Sequence, residues 1–292
     1  MVNTTAVLDF GMAQNFRAAT TYTCILSFTK ESSTRNTHSC YVSDDRAAMN
    51  DPGAYFESNQ ALQKGLDATP WVVLSKERQR IKSLVEVQGI PLEEWDVQIN
   101  YGIKTGLNDA FYITSEQRDA MIAEDPACEE IIVPLLRGRF VERYGTSWDG
   151  TWMLYVPWHF PLQEEKSIKG PSKNAERLFS KQYPVIYKYL QSHKQKLSAR
   201  NKAETGIRYE WYALQRWAAD YHKEFSKPKV IYPNMTKYLP FYYDTDTNFF
   251  TNDKGFIITS KGDSLAYLTA FLNSSLFRCC FRDNFPELMG NT

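Results

Sequence analysis

The chain has 292 residues, 43% of them hydrophobic and 23% charged, with 34 basic and 34 acidic side chains. This composition excludes a disordered chain, a coiled coil and a collagen-like fibre, and the length suits roughly two domains. No apolar run approaches the roughly 18 residues of a membrane span, and the opening MVNTTAVLDFG lacks the basic start of a secretory signal. Five cysteines without CxxC spacing favour free thiols, so we expect a cytoplasmic protein with no membrane partner.

The charges are unevenly distributed along the chain. Residues 44–130 carry 17 acidic and 8 basic side chains, whereas residues 166–229 carry 15 basic and 5 acidic ones. A basic block within a neutral chain is typical of a surface that binds polyanions such as nucleic acid. A solvated helical face gives the same pattern, so the charge alone leaves both interpretations open.

The N-terminal segment is predicted to form a small piece of sheet. Residues 5–11 and 20–28 are predicted as strands, residues 12–19 between them as a helical turn, and residues 30–39 as a polar loop. Two strands leave no room for a complete domain. We therefore expect residues 1–40 to be the last part of a larger sheet and residues 41–292 to form a separate domain.

The rest of the chain alternates helical and strand patterns. Helices are predicted at 76–87, 115–125, 172–203, 209–219 and 263–281, and strands at 151–156, 229–233 and 255–259. Residues 131–136 form an apolar run interrupted by Pro134. Residues 97–114 carry alternating apolar side chains on both sides of a glycine-containing turn, which predicts a β-hairpin whose tip could enter a DNA groove. The predicted fold class is mixed α/β (α+β).

No catalytic motif stands out. The four histidines lack metal-ligand spacing, and the sequence contains no Walker loop, GxSxG or GxGxxG motif. Asp149, Glu165 and Lys166 loosely match the acidic set of a metal-dependent nuclease. A stand-alone nuclease therefore remains one alternative, and a basic module that binds an acidic protein remains another.

Several strings, in this order, resemble the target-recognition region of type IIG restriction-modification enzymes, which are fused adenine-specific DNA methyltransferases and endonucleases with a TaqI-like specificity domain. The strings are Gly102-Ile-Lys-Thr-Gly-Leu-Asn-Asp-Ala-Phe111, Ile132-Val-Pro-Leu-Leu-Arg-Gly138, Lys229-Val-Ile-Tyr-Pro233 and Phe271-Leu-Asn-Ser-Ser275. The opening Val7-Leu-Asp-Phe-Gly11, with Phe16 and Ala19-Thr-Thr-Tyr-Thr23, resembles the end of the methyltransferase core.

The resemblance implies a domain that binds double-stranded DNA within a longer enzyme. That enzyme would methylate adenine with S-adenosylmethionine and cleave DNA with magnesium. This sequence lacks the family's glycine-rich cofactor loop and its Asn-Pro-Pro-Tyr motif, which would hold a flipped adenine. We therefore expect a fragment that is inactive alone, with no cofactor, catalytic residue or metal ligand of its own, whose residues 1–40 pack against the remaining methyltransferase core.

Candidate DNA contacts fall into two groups. Lysines and arginines of the basic block would neutralise phosphates, and arginine, lysine or amide side chains near turns would read base edges. The phosphate candidates are Lys169, Lys173, Lys181, Lys188, Lys194, Lys196 and Arg200, and the base-reading candidates are Lys104, Asn108, Arg137, Arg139, Arg143 and Arg208. A solvated face, a stabilised turn or a surface ion pair would account equally well for any one of them.

Overall fold

The computed structural model describes residues 2–11, 15–16, 23–42, 45–64, 71–200, 208–234, 238–262 and 264–284. The chain forms two compact units, one of residues 1–91 with 279–286 and one of residues 92–278 with 287–292. None of the helices in these described ranges is long and apolar enough to span a bilayer.

The first unit is built on a four-stranded sheet of order β2–β1–β3–β4. Strand β1 pairs antiparallel with β2 and parallel with β3, and β3 pairs antiparallel with β4. Leu8, Phe10, Cys40, Val42 and Ala48 form its small apolar core. The strands are β1 (Asn3–Asp9), β2 (Cys24–Thr29), β3 (Asn36–Tyr41) and β4 (Ala61–Lys64), and the helices are α1 (Asp45–Asn50), α2 (Pro52–Asn59) and α3 (Lys76–Gln88).

Strand β3 begins within the segment predicted as a polar loop at 30–39, and it corrects that prediction. Two of its polar side chains are buried because other strands bond them: Thr37 Oγ1 donates to the Thr4 carbonyl (3.0 Å), and Ser39 Oγ donates to Gln63 Oε1 (3.0 Å). Since β3 pairs on both sides, the boundary predicted at residue 40 falls inside this unit. The assignment of residues 1–40 to a methyltransferase core stays a prediction, and most of the helical turn predicted at 12–19 lies outside the described residues.

The second unit contains two four-stranded sheets and a separate two-stranded ribbon. Their orders are β13–β7–β10–β6, β12–β11–β14–β5 and β8–β9. The strands are β5 (Val97–Tyr101), β6 (Tyr112–Ile113), β7 (Ile132–Leu136), β8 (Val141–Glu142), β9 (Gly145–Thr146), β10 (Trp152–Leu154), β11 (Lys229–Pro233), β12 (Tyr242–Asp244), β13 (Phe250–Thr251) and β14 (Gly255–Ser260). The mixed α/β fold class is therefore confirmed.

The helices surround a large aromatic and aliphatic core. Phe179, Ile186, Leu190 and Leu197 point from three successive helices into it. Ser172 caps the first of these helices and Pro184 begins the second, so the helical prediction at 172–203 is confirmed from 173 to 198, with breaks at Tyr183 and His193. Residues 201–203 of that prediction lie outside the described residues. The helices of this part of the chain are α4 (Asn108–Phe111), α5 (Ser115–Glu124), α6 (Lys173–Gln182), α7 (Pro184–Ser192), α8 (Lys194–Ser198), α9 (Leu265–Leu272) and α10 (Ser275–Asn284).

The predicted hairpin at 97–114 does not form. Strand β5 pairs with β14, and β6 pairs with β10 in the other sheet, so the segment between them crosses from sheet to sheet. Gly102 is buried at the crossing, where a β-carbon would overlap the carbonyl oxygens of Thr251 and Asn252. The glycine thus permits close backbone packing and does not form an exposed tip.

The helix predicted at 209–219 is also wrong. Tyr212, Ala213, Leu214 and Trp217 are all buried. Apart from a local bond from the Ala213 N–H to the Glu210 carbonyl, the backbone bonds of this segment go to distant residues. Leu214 donates its N–H to the Val156 carbonyl (2.9 Å), and Arg216 exchanges backbone hydrogen bonds with Lys104 (2.9 and 3.0 Å). These partners replace the bonds that a helix would make within itself.

Candidate nucleic-acid interface

Helices α6 to α8 and the segment before them present a basic surface. Because the apolar side of the helices is buried, their lysines project to solvent. We call this set the lysine face: Lys169, Lys173, Lys181, Lys188, Lys194 and Lys196, all exposed. Among the described residues, only Lys194 of this set makes an ion pair or a ring contact. The lysine face therefore keeps most of its positive charge available.

Lys194 is partly neutralised. Its Nζ lies 4.0 Å from Glu176 Oε1 and 4.7 Å from the ring centroid of Trp211. The same Glu176 oxygen accepts hydrogen bonds from Tyr187 OH (2.9 Å) and Trp211 Nε1 (2.7 Å). Burial and the bond to Glu176 raise the pKa of Tyr187 to about 12, so this hydroxyl stays a donor. We expect Lys194 to contribute less to phosphate binding than its neighbours.

Arg200 corrects the prediction of a phosphate contact. Only 8% of the residue is exposed. Its guanidinium donates to the carbonyls of Leu197 (3.0 Å), Thr105 (2.8 Å), Ala213 (2.8 Å) and Trp211 (2.6 Å). Every nitrogen of the group is used inside the protein, so Arg200 joins three segments and is not available to DNA.

The residues of the 102–111 string do not form a projecting turn. Lys104 is half-buried and its backbone pairs with Arg216. Asn108 is exposed at the start of α4, where its Oδ1 accepts from Thr105 Oγ1 (2.6 Å). The asparagine therefore stabilises the turn that precedes its own helix. Arg208 is exposed.

Arg137 is tied to Asp149. The guanidinium pairs with the carboxylate, and its carbon lies 5.1 Å from the ring centroid of Phe140. Burial alone would raise the pKa of Asp149, but the Thr151 hydrogen bonds and the Arg137 charge outweigh it and lower that pKa. The charge of the Asp149 carboxylate is thus balanced by an arginine.

The other two nuclease candidates do not complete a metal site. Glu165 and Lys166 are exposed in a turn, as the Ile168 N–H donates to the Glu165 carbonyl (3.1 Å). In the ranges that the structure describes, no three His, Cys, Asp or Glu side chains are grouped to hold a metal ion.

Two further base-reading candidates, Arg139 and Arg143, lie on one short segment around the β8–β9 hairpin. Arg139 and Arg143 are exposed, and the Arg139 guanidinium carbon lies 4.9 Å from the ring centroid of Phe140. Arg143 and Tyr144 form the two-residue turn between β8 and β9. Tyr144, which sequence reasoning missed, is 63% exposed. An aromatic residue before Gly145 in a run of arginines was the available signal, but a buried strand would carry the same pattern.

Two further polar residues near this hairpin were also missed. Gly138 packs against Pro233 and the Lys254 carbonyl, and the Asn234 N–H donates to the same carbonyl (2.7 Å). Asn234 and Lys254 are both exposed. Their proximity to Gly138 depends on the pairing of β11 with β14, which no local sequence pattern reveals.

Comparison with known proteins gives one family. The family described as the TaqI-like C-terminal specificity domain matches residues 133–292, which is more than half of the chain. No curated protein matches.

Solved structures also match the chain, among them the following two. The type IIL restriction-modification enzyme MmeI in complex with DNA is 13% identical, with 98% of this chain and 33% of that chain covered and a TM-score of 0.45. The type IIG restriction endonuclease BpuSI is 10% identical, with 96% of this chain and 34% of that chain covered and a TM-score of 0.41. The chain thus spans about a third of the length of these proteins.

Proposed function

Because this chain belongs to the family of TaqI-like C-terminal specificity domains, we propose that it recognises a specific sequence in double-stranded DNA. The observation that carries the proposal is the lysine face, with five exposed lysines that have no ion-pair partner among the described residues. Each lysine placed at a phosphate releases counterions, which supplies affinity that does not depend on sequence. Sequence preference then comes from side chains that reach base edges.

We extend the proposal to the longer protein. It is a type II (IIG) restriction-modification enzyme that methylates adenine with S-adenosylmethionine and cleaves DNA with magnesium, in the cytoplasm. The motif order of the sequence supports the enzyme class, and five free cysteines support the location. No residue of this chain is assigned to either cofactor, because the sequence has no glycine-rich cofactor loop and Asp149 is paired with Arg137.

The salt dependence of DNA binding tests the lysine face. Fluorescence anisotropy on a random-sequence duplex, from about 50 to 200 mM salt, should show a steep loss of affinity. A Lys181→Gln/Lys188→Gln/Lys196→Gln variant should bind more weakly, and its log–log salt slope should be shallower by about one for each phosphate that is no longer neutralised. The control variant is Lys30→Gln/Lys64→Gln/Lys76→Gln, which removes three exposed lysines outside the basic block. The control should behave as the wild type does.

Other outcomes would favour the alternatives. Failure of the wild type to bind any duplex, combined with binding to an acidic protein, would favour the protein-interaction module. Magnesium-dependent cleavage by this chain that disappears in Asp149→Ala would favour the nuclease. Equal losses of affinity in the two triple variants would show that the lysine face is not the DNA-binding surface.

A further inference from the structure

The β8–β9 hairpin combines an exposed tip with a fixed base. In the part of the chain that the structure describes, its two strands pair only with each other. At the base, Val141 is buried, and the Phe140 carbonyl accepts hydrogen bonds from Thr146 Oγ1 (2.9 Å) and the Ser147 N–H (3.1 Å). The Tyr144 N–H donates to the Phe241 carbonyl (3.3 Å), which ties the turn to the neighbouring sheet. The tip is therefore held in one position.

The conformation of Tyr144 is unfavourable for its residue type. Its φ is 62°, in the left-handed region that glycine adopts without strain. The residue is 63% exposed, so its side chain contributes little packing energy to the fold. A strained residue that the fold does not need suggests a function for its side chain.

The neighbouring charges are suited to DNA. Within the described residues, Arg143 is exposed and makes no ion pair, and Arg139 stacks on Phe140 with its charge exposed. Three other base-reading candidates are less available: Arg137 is paired with Asp149, the Asn108 oxygen is used by Thr105, and Lys104 is half-buried, whereas Arg208 is exposed but lies outside this segment. The hairpin tip is thus the best-placed reader among the arginine candidates of this segment.

We propose that the Arg143–Tyr144 turn enters the major groove and reads the DNA sequence. The major groove admits a two-stranded β-ribbon, and an arginine there can donate two hydrogen bonds to O6 and N7 of a guanine. In this arrangement Arg143 reads a guanine, the Tyr144 ring packs against the adjacent base pair, and Arg139 contacts a flanking phosphate. This inference rests on the proposed function, since it identifies the residues that supply sequence preference.

The test compares selected and random DNA. The preferred duplex is first selected from a random library with the wild-type chain, and affinities are then measured on that duplex and on a random one. Arg143→Ala should weaken binding to the selected duplex by about tenfold or more, with a much smaller effect on the random duplex. Reselection with Arg143→Ala should lose the preference for guanine at one position. The control Lys188→Ala should weaken binding to both duplexes by a similar factor.

A second variant separates a role in binding from a role in folding. Tyr144→Gly should keep or raise the Tm, because it relieves the backbone, and should still reduce the preference for the selected duplex. A lower Tm in Tyr144→Gly would assign the side chain to the fold and overturn its part of the inference.

The inference and the proposed function fail in different ways. If the wild type binds DNA selectively and Arg143→Ala selects the same sequence with the same affinity, only the hairpin assignment is wrong. If Arg143→Ala weakens binding to both duplexes equally, Arg143 contacts a phosphate and does not read a base. If the wild type binds no duplex at salt as low as about 50 mM, the proposed function fails together with the hairpin assignment.

Discussion

Arg200 shows how a single side chain can connect distant segments. Its guanidinium is bonded to carbonyls of residues 105, 197, 211 and 213, and it lies between the rings of Phe111 and Tyr209, at 5.8 and 5.4 Å from their centroids. Lysine cannot reproduce this planar set of donors. We expect Arg200→Lys to destabilise the protein by about 3 kcal/mol, measured by urea unfolding, because buried carbonyls lose their donors.

The matched control for Arg200 is the exposed Lys196→Gln, which should leave stability unchanged within about 0.5 kcal/mol. A stable Arg200→Lys protein with weakened DNA binding would contradict the structural role. It would return Arg200 to the phosphate-binding group.

Lys229 and Asp244 form an ion pair in which neither side chain is exposed. The Lys229 Nζ donates to Asp244 Oδ2 (2.8 Å), and the same carboxylate accepts from the Thr247 (3.1 Å) and Phe249 (2.7 Å) N–H groups. Lys229→Met should cost about 3–5 kcal/mol in unfolding free energy, since it leaves a buried carboxylate without its cation.

The double variant Lys229→Met/Asp244→Asn provides the comparison for this pair. The asparagine oxygen can still accept a backbone N–H bond, but it carries no charge. We therefore expect the double variant to be more stable than Lys229→Met alone in urea unfolding. A double variant that is less stable would show that the charge of Asp244 matters independently of Lys229.

At the scale of elements, Glu210 holds the segment that leads into α6. Only 2% of this glutamate is exposed. Its carboxylate accepts from the His159 N–H (2.8 Å), from His159 Nδ1 (3.0 Å) and from the Ser172 N–H (2.8 Å). Ser172 is also the N-cap of α6, so Glu210 positions the start of the lysine face.

Glu210→Ala should loosen residues 159–172. Amide hydrogen exchange in this segment should become faster than in the wild type. Exchange in strands β11 and β14 should change less, because the Glu210 hydrogen bonds described above do not reach those strands. Ser172→Ala removes only the helix cap and should lower the free energy of unfolding by about 1 kcal/mol. Equal exchange rates in wild type and Glu210→Ala would show that the segment is held by its other contacts.

Elements with local signals were predictable, and elements that depend on distant partners were not. Ser172 and Pro184 mark the starts of α6 and α7 in the sequence itself. Strand β3, in contrast, depends on Thr4 and Gln63, and the 209–219 segment depends on Val156 and Lys104. Local periodicity contains no information about such partners, so these two elements were mispredicted.

The same distinction applies to the candidate site. Exposed lysines on the outside of amphipathic helices follow from helical spacing, so most of the lysine face was predictable. Arg200 belongs to the same charge run, but its carbonyl partners come from three separate segments. Tyr144 became a candidate only when its exposure and its φ of 62° were known.

At the scale of the whole molecule, the five cysteines differ in accessibility. All are free; Cys40 and Cys128 are buried, Cys24 is exposed, and Cys279 and Cys280 are half-buried. Burial raises the pKa of Cys40, and burial followed by the nearby charge of Asp125 raises the pKa of Cys128 to about 11. Because the thiolate is the reactive form, these two thiols should stay unreactive at pH 8.

Titration with a thiol reagent at pH 8 should therefore give no more than three fast groups in the native protein and five after denaturation in urea. Cys24→Ser should remove one fast group, and Cys128→Ser should remove none. Five fast groups in the native protein would contradict the burial of Cys40 and Cys128.

The separation of the β8–β9 ribbon from both larger sheets has an evolutionary consequence. Its strands form no ladder with any other strand among the described residues, so changes in its two turn residues disturb no sheet register. Mutations at position 143, and mutations at 144 to residues that tolerate a positive φ, can therefore accumulate without disturbing the sheets. A lineage carrying this domain can diversify what it recognises while its scaffold stays under separate selection.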